Sequence, residues 1–465
     1  MIEEIFNRQN QLKNKLRLSS SKERIAKLDT ILNWILNNRS SIKIALHKDF
    51  RKSGEETDIT EIYPLVSEIR NVKKNLRKWM KPNFVKRSII YLTHSAFVKY
   101  ESKGVVLIIS TWNYPFLLSI GPLISAIAAG NSAIIKPSEI SPNTSELISK
   151  MILELFPNKE IAVVQGDKAV STELLKLPFD HIFFTGSTEI GKIVAKAASE
   201  NLSDYTLELG GKSPVIVEKS ASLKSTAEKI VWGKYLNKGQ TCVAPDYILI
   251  DKDIRNSFTE LLVNNIKKYY GNNHQEVETN LNYARIINEK HHSRLVEIIE
   301  NTKQNDGQIL YGGKYDSENY FIEPTIILTN CEGCKISEEE IFGPILPIVE
   351  YTNLDEAIQW INKRNPPLSI YIFSNNKIGI DKVINSTHSG GIGLNELVIH
   401  FSHPHLPFGG VRHSGIGRSH GFAGFKEFSY ERSFIKAGKL NFLKIIYPPY
   451  NNRKRKIVDF FVKYL

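Results

Sequence analysis

The sequence predicts an α/β fold of two doubly wound, Rossmann-like domains with a small β-hairpin arm. Three observations predict it. At 465 residues the chain exceeds the size at which one hydrophobic core keeps growing, so it divides into packed units. Short β-type runs at Val105–Ile109, Ser132–Lys136, Ile161–Val164 and His181–Phe184 carry helical runs between them, the pattern of a parallel doubly wound sheet. The alternation restarts after Gly210-Gly211, with Pro214–Val217, a helix near Leu223–Leu236 and Tyr247–Ile250.

Ahead of the first alternation, Ser21 to about Lys81 reads as helical, with apolar residues at Ile25, Leu28, Ile31, Leu32 and Ile35 and again at Leu65, Ile69 and Leu76, the three- and four-residue spacing of a buried helix face. Pro82 closes it. Ser88–Leu92 and Ala96–Tyr100 are two β-type runs around Thr93-His94-Ser95, which read as a protruding hairpin. The stretch Val105–Ile135 holds no charged residue and has the hydropathy of a membrane span. Trp112-Asn113-Tyr114-Pro115, Gly121-Pro122 and Gly130-Asn131 punctuate it, so it reads instead as a strand, a helix and a second strand, buried on both faces.

Composition excludes several classes. Hydrophobic residues at 42% and charged residues at 24% are ordinary for a globular protein and exclude general disorder. The net charge of +12 favours anionic partners without choosing among them. The body of the chain has no basic-aromatic nucleic-acid signature, and the densest basic cluster is Arg453–Lys456. Three cysteines cannot form a disulfide framework, which points to a reducing compartment. Cys331 and Cys334 form a C-x-x-C pair without a second pair or a flanking His, so they read as incidental thiols, and no metal is expected. The N-terminus lacks the apolar core of a secretory signal, which favours a cytoplasmic start.

Four segments carry chemistry. Gly186–Lys192, GSTEIGK, almost spells a phosphate loop, but Ile193 replaces the Ser/Thr that would hold Mg²⁺. What remains is a strand-to-helix turn whose free N–H groups suit a pyrophosphate, or a plain turn with Gly for tight packing. Cys242 follows a polar, Gly-containing segment that favours access, although a structural thiol is the alternative. Glu208 lies in an apolar run beside Gly210-Gly211, where burial would raise its pKa toward that of a general base; the alternative is a solvent-facing edge position. Asn113, past the carboxyl end of Val105–Ile109, is placed to donate to an oxyanion, or serves the turn alone.

In this order, Asn113, Gly186–Gly191, Glu208 and Cys242 resemble the aldehyde dehydrogenase superfamily. IIKPSE (Ile134–Glu139), EEIFGPILP (Glu339–Pro347) and LPFGGVRHSGIGR (Leu406–Arg418) extend the resemblance over nearly all of the chain after about residue 60. KYESKG at Lys99–Gly104 and YPP at Tyr447–Pro449 are similar to the class 3 and fatty aldehyde dehydrogenase branch. The resemblance implies the aldehyde dehydrogenase fold, a homodimer, and medium- to long-chain or aromatic aldehydes as substrates. It implies an NAD(P)-binding domain at 1–84 and 105–209, a catalytic domain at 210–395, a bridging arm at 85–104 with about 425–445, and a basic-amphipathic tail at 446–465.

Carried over residue by residue, the resemblance makes Cys242 the nucleophile, Asn113 with the Cys242 N–H the oxyanion donors, and Glu208 the base that hydrolyses a thioester, with Glu340 a possible contributor. It places NAD on Lys136, Glu139, Gly186, Ser187, Thr188, Gly191, Glu340 and Phe342. Glu139 favours a ribose 2′-hydroxyl while Lys136 softens that preference, so NADP stays open. Tyr63, Tyr114 and Trp232 are expected to line the substrate funnel, with core packing as the alternative for each. Transfer of the thioester to coenzyme A and a catalytically silent lipid-surface protein are the competing functions; Glu208 argues against the first and the intact trio against the second. The tail RKRK-IVDFFVKYL is too short to span a bilayer but suits an anionic surface, a docked tail helix or a cover over the substrate mouth.

Overall fold

A computed structural model of the chain describes residues 2–86, 91–305, 307–440 and 442–464. Helices Ile2–Arg17, Ser21–Asn37, Arg39–Phe50 and Tyr63–Trp79 open it. Ser20 and Glu23 form a reciprocal capping box at the start of the second, which satisfies two otherwise free backbone donors. Between Phe50 and Tyr63 the chain makes a short helix, Gly54–Thr57, and a π-helical turn, Asp58–Ile62.

The strands are β1 (Asn83–Phe84), β2 (His94–Ser102), β3 (Val105–Ile109), β4 (Ser132–Lys136), β5 (Ile161–Val163), β6 (His181–Thr185) and β7 (Asp204–Glu208), followed by β8 (Pro214–Val217) and β9 (Tyr247–Asp251). Then come β10 (Gln308–Tyr311), β11 (Tyr315–Asp316), β12 (Phe321–Ile322), β13 (Thr325–Leu328) and β14 (Ile345–Tyr351). The last are β15 (Ser369–Phe373), β16 (Gly391–Leu394), β17 (Gly415–Ile416) and β18 (Ser429–Ala437). One sheet has the order β17-β7-β6-β3-β4-β5 and the other β10-β13-β14-β9-β8-β15-β16. Only the edge strands β17 and β10 run antiparallel to their neighbours. Two parallel, doubly wound sheets are therefore present, as the alternating pattern predicts.

Every residue of β3 and β4 is buried. Helix Pro115–Ala129 covers one face through Phe116, Ile120, Leu123 and Ile127. Phe6, Leu174, Val194 and Ala198 from three other helices cover the opposite face. This sandwich explains the uncharged stretch Val105–Ile135. No described helix is long and apolar enough to cross a membrane.

The arm differs from the expected hairpin. Ser88–Ile90 lie outside the described residues, and Tyr91 and Leu92 lie in a turn. His94 and Ser95, expected in the turn, begin β2, which pairs antiparallel with β18 along its whole length, from His94↔Ala437 to Ser102↔Ser429. The short β1 flanks its other edge. A long partner from the end of the chain offers β2 more ladder bonds than its immediate neighbours do.

Cys331 and Cys334 are not independent thiols: a disulfide joins them, leaving Cys242 as the free cysteine among the described residues. The turn they bound, with Gly333 at φ 83°, brings their Cα atoms to 5.9 Å, within bridging range. No cluster of metal-ligating side chains is present among the described residues.

Candidate active site

Past the end of β3 the chain turns through Trp112-Asn113-Tyr114 into helix Pro115–Ala129. Asn113 is buried, and its Nδ2 donates to the carbonyl of Gln240 at 3.0 Å. Its Oδ1 is buried without a partner among the described residues. Tyr114 is bonded through its hydroxyl to Thr241 Oγ1 at 2.6 Å. The Asn113 turn is thus tied to the segment that ends in Cys242.

That segment is shaped by its backbone. After helix Leu223–Tyr235, Asn237 and Lys238 adopt left-handed conformations (φ 49° and 57°). Gly239 follows at φ 75°, where a Cβ would collide with the carbonyl oxygen of Gly343, so only glycine fits. Asn237 Nδ2 donates to the carbonyls of Asn113 (2.8 Å) and Gln240 (3.1 Å). Gln240 Nε2 donates to Arg285 O, and its Oε1 accepts the N–H of Ile287. A loop with positive-φ residues is held rigid by buried amides, presenting a half-buried Cys242.

Glu208 ends β7, where Gly415 of β17 pairs with it across the edge. The Ser419 hydroxyl donates to its Oε1 at 2.8 Å. Burial pushes the carboxyl up to about 8, against the opposing pull of Ser419 and Arg418. Glu340 is likewise raised to about 8 by burial and by Asp246. Its carboxylate lies so close to Gly210 that a Cβ there would collide with it. The Cys242 thiol is pushed up to about 12, first by burial and then by Glu340 and Glu208; its own N–H and that of Val243 pull the other way. These N–H groups are aimed at negative charge on or beside the sulfur.

Cys242 and Glu208 share one narrow, mostly apolar cleft, the kind of concave, apolar-walled place in which small-molecule sites form. Tyr114, Leu117, Leu118, Gly121, Pro122 and Ser125 line it along one face of their helix, and Phe401, Phe408, His420 and Phe428 line it elsewhere. A thiol, a carboxyl near neutrality and apolar walls suit nucleophilic attack on an apolar carbonyl compound followed by base-assisted hydrolysis.

The dinucleotide candidates collect at the carboxyl ends of β4 and β6. Lys136 is buried at the end of β4 and pairs with the exposed Glu139 at 2.5 Å. After β6, Gly186 leads to Ser187, the N-cap of helix Thr188–Glu200, whose side chain accepts the N–H of Ile190. Thr188 Oγ1 donates to His413 O at 2.9 Å, and at Gly191 a Cβ would press on Leu209 at 2.8 Å. Phe342 sits at φ 49° with its ring edge-to-face on Trp112, centroids 5.5 Å apart. The buried Thr185 Oγ1 at the tip of β6 has no partner among the described residues. Thr185 itself lines the cleft with Cys242 and Glu208, while a buried cation at Lys136 and the helix N-terminus at Ser187 fit a dinucleotide ribose and pyrophosphate.

Two expected lining residues stand apart. Tyr63 is 63% exposed, and Trp232 packs half-buried against the second core; neither lines the cleft, whereas Tyr114 does. Reading the sequence missed Ser419, directly after the segment ending at Arg418, and the helix face from Leu117 to Ser125. The three- and four-residue spacing along that helix was the available signal.

The family model described as "Aldehyde dehydrogenase family" matches residues 2–434. The chain is 42% identical to 4,4'-diaponeurosporen-aldehyde dehydrogenase of Staphylococcus aureus, covering 96% of this chain and 95% of the relative. It is 41% identical to "Aldehyde dehydrogenase, dimeric NADP-preferring" of Rattus norvegicus, covering 92% and 93%. Among solved structures, "Substrate bound state of Staphylococcus Aureus AldH" superposes with a TM-score of 0.95 at 40% identity, covering 99% of each chain. A thiol and a carboxyl in one cleft, dinucleotide candidates at the strand ends and these matches agree: the chain belongs to the aldehyde dehydrogenase family, NAD(P)-dependent oxidoreductases that act on aldehydes.

Proposed function

We propose that the chain oxidises a medium- to long-chain aliphatic or aromatic aldehyde to its carboxylic acid through a thioester on Cys242. The observation that carries this reading is the shared cleft: Cys242 and Glu208 face the same apolar volume, and Glu208 is held near neutrality with Oε2 buried and unpartnered among the described residues. Cys242 gives its proton to a neighbouring carboxylate, Glu340 or Glu208, as Sγ bonds to the carbonyl carbon, and the alkoxide left by the opened C=O bond is received by the Asn113 amide and the Cys242 N–H. A nicotinamide dinucleotide bound at Lys136, Gly186–Thr188 and Glu340 would supply the hydride acceptor needed to turn this tetrahedral adduct into the thioester. Glu208 then takes a proton from water as its oxygen attacks the thioester, and Cys242 departs as thiolate. Glu340, close to Cys242 electrostatically, is the second carboxyl able to assist.

Lys136, Glu139, Gly186, Ser187, Thr188, Gly191, Glu340 and Phe342 hold the cofactor in this reading. The exposed Glu139 suits a free 2′-hydroxyl and favours NAD, while its pairing with Lys136 keeps a cation at hand for NADP. The sheet containing β3–β7, with residues 1–84 and 105–209, is the NAD(P)-binding domain, and 210–395 is the catalytic domain. The arm supports a homodimer, because β18 is an edge strand with exposed Tyr430 and Ile435.

Replacement kinetics test the mechanism. Cys242→Ala abolishes turnover, and Glu208→Gln gives one burst of reduced nicotinamide per site followed by slow release. Aldehyde oxidation by Cys242→Ala at the parent rate overturns the proposal. A second reading concerns the exposed helix Asn452–Tyr464, in which basic Arg453–Lys456 precede exposed Phe460, Val462 and Tyr464. This arrangement supports peripheral contact with an anionic bilayer. Equal liposome flotation by the full chain and by a chain ending at Tyr450 removes it.

A further inference from the structure

Beneath the Asn113 turn lies a buried ion pair that the chemistry above does not use. Lys52 and Glu61 are both fully buried, with Nζ 2.7 Å from Oε1. Burying two opposite charges gains little over an apolar pair of similar size, so stability alone is a weak reason for them. The second carboxylate oxygen supplies a better one. Glu61 Oε2 accepts the N–H groups of Phe116 (3.1 Å) and Leu117 (3.0 Å). These are first-turn donors of helix Pro115–Ala129, whose N-cap residue Tyr114 offers no side-chain cap. A carboxylate from another segment therefore satisfies that helix start and complements its positive end.

Further contacts of Lys52 and of the neighbouring Glu56 lead to the reacting groups. Lys52 Nζ lies 4.3 Å from the centroid of the Tyr114 ring, whose hydroxyl bonds Thr241, the residue before Cys242. Glu56 Oε1, one short helix away, accepts the N–H of Asn237 at 2.7 Å. Asn237 in turn holds the carbonyls of Asn113 and Gln240. Glu61 itself sits in the π-helical turn Asp58–Ile62, a widened turn of the kind found where a helix serves a site.

The geometry points to Lys52 and Glu61, assisted by Glu56, as positioning residues that hold the Asn113 turn and the Cys242 loop in register for attack on the aldehyde. This rests on the roles proposed for Asn113 and Cys242. The Glu61 carboxylate accepts three hydrogen bonds in fixed directions, one from Lys52 and two from the start of the helix. An apolar pair would fill the space without fixing where the helix begins, and Asn113 lies two residues ahead of that beginning.

The test measures the pre-steady-state burst of reduced nicotinamide in the full chain, with cofactor affinity and melting temperature measured in parallel. Glu61→Gln and Lys52→Met slow the burst by about tenfold to a hundredfold, the cost of a small misplacement of reacting groups. Cofactor affinity stays within about twofold, because the pair touches the nucleophile side. The double variant Lys52→Met with Glu61→Gln regains about fivefold over Lys52→Met, since it leaves no unpaired buried charge. Burst rates within about twofold of the parent in folded single variants, with lowered melting temperature alone, overturn the proposal. Where these variants do not fold, the half-buried Glu56→Ala decides: a burst slowed about tenfold supports the assignment and a parent-like burst overturns it. Parent-rate aldehyde oxidation by Cys242→Ala defeats the nucleophile assignment itself, a result distinct from failure of the positioning role.

Discussion

The Ser419 hydroxyl donates to Glu208 Oε1 across 211 residues of sequence, steadying one carboxylate oxygen and leaving the other buried and unpartnered among the described residues. Burial raises the Glu208 carboxyl to about 8, and the Ser419 bond opposes that rise. Ser419→Ala therefore raises it further and leaves less carboxylate at neutral pH. The ascending limb of the turnover pH profile is expected to move to higher pH, with turnover at pH 7 falling about fivefold, the worth of one such hydrogen bond. An unmoved limb separates Ser419 from the base.

Cys242 presents the opposite problem, since a thiol pushed up to about 12 is almost wholly protonated at neutral pH. Alkylation by iodoacetamide in the cofactor-free protein is expected to be slow at pH 7 and to rise through pH 10 without a plateau. Glu340 contributes to the shift through its charge, so Glu340→Gln should lower the thiol pKa and speed alkylation at pH 9. A plateau below pH 8 in the parent would contradict the burial and charge argument.

What the sequence made legible follows from local physics. The strands β3, β4, β6, β8 and β9 were read within a residue or so, because a strand buried on both faces must be apolar throughout. Cys242, Glu208 and Asn113 stood out through polar or glycine-containing surroundings and through the family resemblance. The remainder depends on distant partners. β2 is paired with β18 from the far end of the chain, so its neighbours in sequence suggested a hairpin with the wrong turn. Tyr63 looked like an aromatic lining residue, yet it faces solvent beside a π-helical turn that no apolar spacing reveals. Lys52 and Glu61 carry no local mark of their pairing, because only the fold buries them together.

Glu68 links stability to pH. It is buried, accepts the N–H of Gly421 at 2.7 Å, and burial raises it from 4.5 to about 7. A carboxyl that is harder to ionise in the folded state stabilises the protein fully below the ordinary carboxyl range, and that contribution is lost as pH rises through about 7. The loss is on the order of 3 kcal/mol by pH 8. Glu68→Gln removes it, so the variant's denaturation midpoint should rise relative to the parent's between pH 5 and pH 8. A constant difference across that range would show that Glu68 is not protonated in the fold.

Gly121 offers a test of substrate length. It lies within helix Pro115–Ala129 on the face that lines the cleft, and a Cβ there meets only Leu65 Cδ2, at 4.0 Å. Tyr114 to Ser125 along that face spans about 16 Å at the helical rise per residue, room for an extended aliphatic chain. Gly121→Leu puts a branched side chain midway along this wall. The ratio of kcat/KM for a long-chain aldehyde to that for a short one is expected to fall about tenfold to a hundredfold, the range set by steric mismatch in an apolar pocket. Leucine is also the better helix former by roughly 0.5–1 kcal/mol, so the melting temperature should hold or rise, which separates lost space from lost folding. A ratio equal to the parent's in a protein of undiminished stability would place the alkyl tail along another wall of the cleft, toward Phe401 and Phe408.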